Sequence, residues 1–362
     1  LPEESSKMVA TIGSSPYIYV STRLRVRRAQ LIPKEEYLRM LNMSLPEITR
    51  FIQESEYKRE IDELSPAFSG IDLLEVALSW NLAKNYQKVL AITPSGLQFM
   101  TQSYLRRWDI QNVLTILRGK TQGLSIGRIK EVLIPAGELD RVFLDRLIAE
   151  PSVDRVVEGL KKWRLYPVLL KEYTQFDSSD SFAHMENELY KKFYEEVIAD
   201  AMSGVRGGKA FLEYIRLDID IKNLQNLFRL RAGKETADVK DILIPGGSVP
   251  IEDLERLNTV RDAEEFADTA KSMVKSAPLL NVLEEGRKSG AFSGAGLHEV
   301  ELALTRMQLK QIEFMSKMHP FTIWPILAYL ERKKFEIFNL RAITRGKESN
   351  LPTDRIKSYL VV

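Results

Sequence analysis

The chain carries the same pattern three times, and a repeat of this length fixes the architecture that every other reading has to fit. Leu31-Ile32-Pro33 returns as Leu133-Ile134-Pro135 and as Leu243-Ile244-Pro245, at intervals of 102 and 110 residues. A tripeptide alone is a weak sign, so an independent marker with the same spacing is needed. Asn112 with Gly119-Lys120 aligns with Asn226 and Gly233-Lys234 and with Asn339 and Gly346-Lys347, the glycines being 114 and 113 residues apart. The third marker is an apolar stripe stepping by three and four residues. It reads Ile71, Leu74, Leu78, Leu82 and Tyr86, then Phe182, Met185, Leu189, Phe193 and Val197, then Leu297, Val300, Leu304, Gln308 and Ile312. A period of about 110 residues follows.

The spacing predicts an all-α protein of three similar helical bundles. Three-four periodicity recurs throughout, whereas alternating β-branched runs bounded by turn residues are missing. Pro46 suits a helix start, and Gly119, Gly233 and Gly346 suit helix ends, where a left-handed glycine closes the last turn. The expected divisions are an N-terminal tail over 1–16 and repeats over 17–130, 131–240 and 241–362. Short connections predict packing about a pseudo-threefold axis.

Composition narrows the chemistry. The 362 residues include no cysteine, which removes disulfides, thiolate nucleophiles and thiolate metal sites. The three histidines, His184, His298 and His319, lie far apart and in no ligand spacing, so no metal site is expected. A net charge of +2 is small for a protein that must neutralise many phosphates. No apolar run approaches the ~18 residues a membrane span needs, Phe321 to Leu330 being the longest candidate and carrying Pro325. The polar, acidic start Leu1 to Lys7 has neither the basic nor the apolar region of a secretory signal, which makes the cytoplasm the default compartment.

Individual motifs add little catalytic promise. Gly119-Lys120-Thr121 lacks the glycine that a phosphate-binding loop places five residues earlier, where Leu114 stands. Ser203 to Ala210 has serine and alanine where that loop needs glycine and a hydroxyl. Glu75, Glu186 and Glu301 occupy matching positions beside the stripes; convergence on one cleft would make an acid/base set, and helix-surface ion pairs are the stronger reading. No catalytic residue and no cofactor-binding residue is assigned. Arg23, Arg25, Arg27 and Arg28, following Tyr17 and Tyr19, form the densest basic cluster, open to RNA, anionic lipid, intramolecular pairing or an acidic partner. Phe321, Trp324 and Tyr329 are interface anchors or, more simply, core.

Taken together, Tyr17-Ile-Tyr-Val-Ser-Thr-Arg-Leu-Arg25, Leu31 to Phe51, Ser55-Glu-Tyr-Lys-Arg-Glu-Ile61 and the repeated Asn-to-Gly-Lys helices resemble the C subunit of the A/V-type rotary ATPases, the counterpart of the V-ATPase d subunit. The resemblance runs from about Tyr17 onward. It implies a funnel of three bundles without an active site or cofactor: a rotor adaptor that joins the central shaft, subunits D and F, to the membrane proteolipid ring and transmits torque. It further implies one copy per complex, a peripheral position on the cytoplasmic face of the membrane, and no nucleic-acid partner. A freestanding helical scaffold or a nucleic-acid adaptor are the competing functions. The basic helix ends Arg118 and Lys120, Arg231 and Lys234, and Arg345 and Lys347 are the candidate partner contacts, with helix capping the stronger alternative.

Overall fold

Helix punctuation written in the sequence accounts for where the chain turns. Glu47 accepts from the backbone N–H of Ser44 at 2.7 Å, closing a capping box with Pro46 in the first turn. Asp140 accepts from the N–H of Phe143 at 2.8 Å, and Ser152 from that of Arg155 at 3.3 Å. The computed structural model describes residues 2–175, 182–231, 233, 238–260, 262–274, 276–288 and 297–362, and among these the regular structure is all helical.

The chain divides into two compact units, residues 1–162 with 319–362, and residues 163–318. The first unit holds α1 (Pro2–Ala29), α2 (Lys34–Met40), α3 (Leu45–Gln53), α4 (Lys58–Leu64), α5 (Gly70–Ile92), α6 (Ser95–Leu105), α7 (Arg107–Thr121), α8 (Ile126–Val132), α9 (Arg141–Ala149) and α10 (Val153–Gly159). The second holds α11 (Tyr166–Gln175), α12 (Ala183–Met202), α13 (Gly208–Arg231), α14 (Val239–Ile242), α15 (Ile251–Thr259), α16 (Ala263–Met273), α17 (Ala277–Lys288) and α18 (Leu297–Met318). The chain then re-enters the first unit as α19 (Trp324–Glu348) and α20 (Thr353–Tyr359).

In the first unit α19 lies against α5 and α1, and α5 against α4 and α8. The stripe of α5 is inward as predicted, with Leu74, Leu78, Leu82 and Tyr86 buried. Trp324 and Ile326 to Leu330 are buried too, so the apolar run ending at Leu330 is a core helix start. Phe321, by contrast, is half exposed. In the second unit α13 packs on α12 and α18, and α17 on α16 and α18. Its core gathers Leu224, Leu227, Phe228, Leu254, Phe266, Leu283 and Leu304. Each such side chain, fully buried, contributes about 1.5–3 kcal/mol. No helix among the described residues is long and apolar enough to cross a membrane.

Two of the three expected helix-end glycines do not end their helices. Gly119 and Gly346 lie inside α7 and α19. The left-handed residues that end these helices stand four further on, Gly123 (φ +68°) and Asn350 (φ +53°). There the N–H of Leu124 returns to Gly119 O and that of Leu351 to Gly346 O, both at 2.8 Å, the bonds of a Schellman closure. Gly233 (φ +69°) alone of the three expected glycines plays that part. Gly119 and Gly346 are required for a different reason. A Cβ on Gly119 would lie 2.6 Å from Ile129 Cγ1 and one on Gly346 2.6 Å from Ile356 Cγ1, so each lets a short following helix press against a long one.

Candidate functional site

The groups that the three repeats share are polar side chains inside the helix packing. Asn112 is buried and binds both backbone groups of Ile134: its amide nitrogen donates to the carbonyl at 2.8 Å and its oxygen accepts from the N–H at 2.9 Å. Asn223 does the same to Ile244, at 2.8 and 2.8 Å, and Asn339 to Val361, at 2.9 and 2.8 Å. The true partner of Asn112 and Asn339 is therefore Asn223, three residues before the Asn226 that spacing selected. Asn226 makes only one bond of this kind, to Ile242 O. A loop crossing a helix must satisfy its backbone groups, and a primary amide presents one donor and one acceptor at the matching separation.

Three residues before each of these asparagines stands a buried acid: Asp109, Asp220 and Glu336. Asp109 accepts from the N–H groups of Glu138 and Leu139, both at 2.9 Å. Asp220 accepts from Ser248 and Val249 at 2.9 and 3.1 Å. Glu336, one methylene longer, accepts from Ile32 N–H at 2.6 Å. The loops approach so closely that a Cβ on Gly137 or Gly247 would fall 2.2 Å from the carboxylate beneath it. Burial pushes Asp109 up to about 7 and Asp220 up to about 6, against the N–H donors that favour the charged form.

These contacts also revise the first sequence marker. Leu133-Ile134-Pro135 and Leu243-Ile244-Pro245 meet their asparagines, but the counterpart at the third asparagine is Leu360-Val361. Leu31-Ile32-Pro33 instead meets the acid, as Leu139 and Val249 do, and Pro33 is the N-cap of α2 as Asp140 is of α9 and Pro250 of α15. One continuous loop thus serves Asn112 and Asp109, and another serves Asn223 and Asp220. Two separate segments of chain serve Asn339 and Glu336.

The predicted basic helix ends are engaged within the chain wherever their side chains are described. Lys120 Nζ donates to Glu150 O and Lys347 Nζ to Leu41 O, each at 2.6 Å. Glu150 and Leu41 are the C-caps of α9 and α2, so both lysines serve the carbonyl end of the short helix that follows a clasp loop. Arg345 pairs with Glu75 at 3.0 Å, Arg341 joins it at 2.8 Å, and burial lowers the Arg341 pKa. Arg229, the counterpart of Arg345 six residues past its asparagine, pairs with Glu301 at 2.6 Å. Two of the three matching glutamates are therefore bridges between helices. Arg118 is half-buried, and the side chain of Arg231 and all of Lys234 lie outside the described residues.

A further group of buried charges surrounds Lys333, whose side chain is wholly inaccessible. Its ammonium contacts Glu56, Glu336 at 2.7 Å and Tyr57 Oη at 2.9 Å, and Tyr57 Oη donates to Glu336. Burial raises the Glu56 pKa against the opposing pull of Lys333 and raises that of Tyr57. A cavity of about 910 Å³ lies beside α5, lined by Trp80, Lys84, Lys88, Leu105 and Arg141 among others. The Arg141 guanidinium stacks 3.5 Å over the Trp80 ring, and Lys84 pairs with Glu60 and Glu63. Among the described residues no cluster of His, Asp and Glu is arranged to hold a metal.

Buried polar groups that recur, each turned to holding a loop or a helix end, define an internally repeated helical protein whose recurring geometry is that of its own bracing. The chain belongs to the ATP synthase (C/AC39) subunit family, whose model matches residues 20–359. It is 40% identical over 360 residues to the A-type ATP synthase C subunit of Methanosarcina mazei, covering 97% of this chain and 94% of that protein. The C subunit of the Archaeoglobus fulgidus A-type ATP synthase is 32% identical over 357 residues, covering 98% and 99%, and that of Haloferax volcanii 32% over 363, covering 98% and 100%.

Proposed function

We propose that this chain is a non-catalytic adaptor in the rotor of an A-type ATP synthase, coupling the central shaft, subunits D and F, to the proteolipid ring at the cytoplasmic face of the membrane. The observation that carries the reading is similarity along the whole chain to proteins named as the C subunit of A-type ATP synthases, at 31 to 40% identity. The internal geometry supports a mechanical part. Torque has to pass without slippage, and helices tied by paired amide clasps, buried carboxylates and lysine-capped ends resist sliding because each tie must break as the element moves. The basic helix ends then act by bracing α2, α9 and α5. An isolated adaptor of this kind turns over no substrate.

Purification of the chain from native membranes through an affinity tag tests this. ATPase activity and the proteolipid ring should come with it. In reconstituted vesicles, complexes lacking it should still hydrolyse ATP while ion transport falls to background. A chain that purifies alone, or vesicles that pump equally well without it, would overturn the proposal.

A further inference from the structure

We infer that the outward face of α1 between Ile18 and Ala29 is a docking surface for a partner protein segment whose apolar ridge is bordered by carboxylates. The inward side of this stretch is filled by Val20, Ser21 and Leu24, which are buried, and α1 packs against α19. Solvent-facing helix surfaces are normally charged. Here the outward face is an apolar stripe instead: Ile18, Thr22 and Val26 follow at helical spacing with Tyr19 beside them, and Ile18, Tyr19 and Val26 are 46%, 53% and 58% exposed. Arg25 borders the stripe on one side and Arg23 on the other, both exposed. An apolar strip edged by charge is the plan of a protein interface.

The charge fixes the partner's chemistry. Residues 16–30 contain four arginines and no acid. Several surface arginines elsewhere face a carboxylate, as Arg39 faces Glu36 at 2.9 Å, Arg59 faces Glu63 at 3.0 Å and Arg155 faces Glu158 at 2.8 Å. In α1 Arg27 turns inward to the Asn85 amide oxygen at 3.3 Å and to the Tyr329 hydroxyl, Arg23 lies 5.9 Å from the Tyr19 ring, and Arg25 and Arg28 have no acidic partner among the described residues. A lipid surface fits less well. The stripe is narrow, has Thr22 at its centre and lacks the Trp, Phe and Leu that seat a helix in a bilayer interface.

The inference rests on the proposed place in an ATP synthase, and the absence of native cysteine makes its test clean. Thr22→Cys gives a single thiol on the stripe. Its alkylation should slow at least about tenfold when the tagged chain is in the purified ATP synthase rather than free, as expected of a residue within an interface core. A photoreactive group on that thiol should link to an Asp- or Glu-bearing segment of another protein of the complex. Arg23→Glu with Arg25→Glu, exposed changes whose folding is verified by circular dichroism, should weaken incorporation at least about tenfold, and Arg23→Gln with Arg25→Gln should reduce its salt dependence. Unslowed alkylation in a complex that does co-purify would sink this inference alone; failure to co-purify would sink the functional reading and this one with it. Arginine-dependent binding to phosphatidylglycerol vesicles or to poly(U), without the cross-link, would also overturn it.

Discussion

Asn339→Ala leaves the N–H and C=O of Val361 without partners in a buried place, so the cost is that of two unsatisfied groups rather than of two ordinary hydrogen bonds. We expect a loss of about 2–4 kcal/mol in urea denaturation, and the same from Asn112→Ala and Asn223→Ala. Asn226→Ala, with one bond on a partly buried side chain, should cost less than half as much. The acids beneath the clasps respond to pH. Asp109 lies at about 7 in the folded chain and Asp220 at about 6, both above the roughly 3.9 of an unfolded aspartate. The folded state therefore holds protons that the unfolded state has released. The stabilisation is full below about pH 4 and is lost as pH rises, up to about 7 for Asp109 and about 6 for Asp220, at about 1.4 kcal/mol per pH unit per carboxyl. Denaturation at several pH values between 4.5 and 7 should show that fall, and Asp109→Asn with Asp220→Asn should flatten it. A slope unchanged by the two substitutions would refute the assignment.

Between elements, the closest approaches are set by Gly119 and Gly346. Alanine in mid-helix is ordinarily better than glycine by about 1 kcal/mol. Gly119→Ala should nevertheless destabilise by about 1–3 kcal/mol, because its methyl meets Ile129 Cγ1 at 2.6 Å and α8 has to shift away from α7. Adding Ile129→Ala removes the obstruction, so the double variant should lose less than the sum of the two singles, a coupling that a denaturation cycle measures. The helices themselves were legible in the sequence, since the stripe Leu74, Leu78, Leu82 and Tyr86 had only to be counted. The register of the ties was not. Asn226 and Gly233 imitate the spacing of Asn112 and Gly119, yet Asn223 makes the clasp and Gly233 closes the helix, because a side chain's role depends on which backbone crosses above it. Leu31-Ile32-Pro33 misled for the same reason: identical residues suit both seats, one under an asparagine and one over an acid. The signal that would have found the acids was present, as Asp109, Asp220 and Glu336 each precede their asparagine by three residues, one helical turn.

At the scale of the molecule, the order of the chain and the order of the packing differ. Residues 163–318 form one compact unit from a continuous stretch, with α13 in contact with α12 and α18. The other unit needs α19 and α20 from the far end of the sequence, since α19 is the helix on which α1, α2, α3 and α5 pack. It also encloses Lys333, which Glu56 and Glu336 reach from opposite ends of the sequence. A buried ammonium without both partners is strongly unfavourable, by about 3–5 kcal/mol for the loss of one. The two units should therefore behave differently when the chain is divided. A fragment of residues 163–318 should fold cooperatively, with helical circular dichroism and a single denaturation transition. Residues 1–162 alone should lack a sharp transition, because α5 and α1 lose the helix they pack on and Tyr86 loses its acceptor on Leu330. Supplying residues 319–362 as a second polypeptide should restore helicity and bring back the Tyr86 hydroxyl bond to Leu330 O, which measures 2.7 Å in the intact chain. Lys333→Ala, by stranding the buried Glu336 carboxylate, and Glu336→Ala, by stranding Lys333 and releasing Ile32 from its acceptor, should each impair recovery in that second polypeptide, whereas Lys333→Met with Glu336→Gln, which removes both charges, should allow more of it. Cooperative folding of 1–162 by itself would show that α19 is an addition to that core instead of its centre.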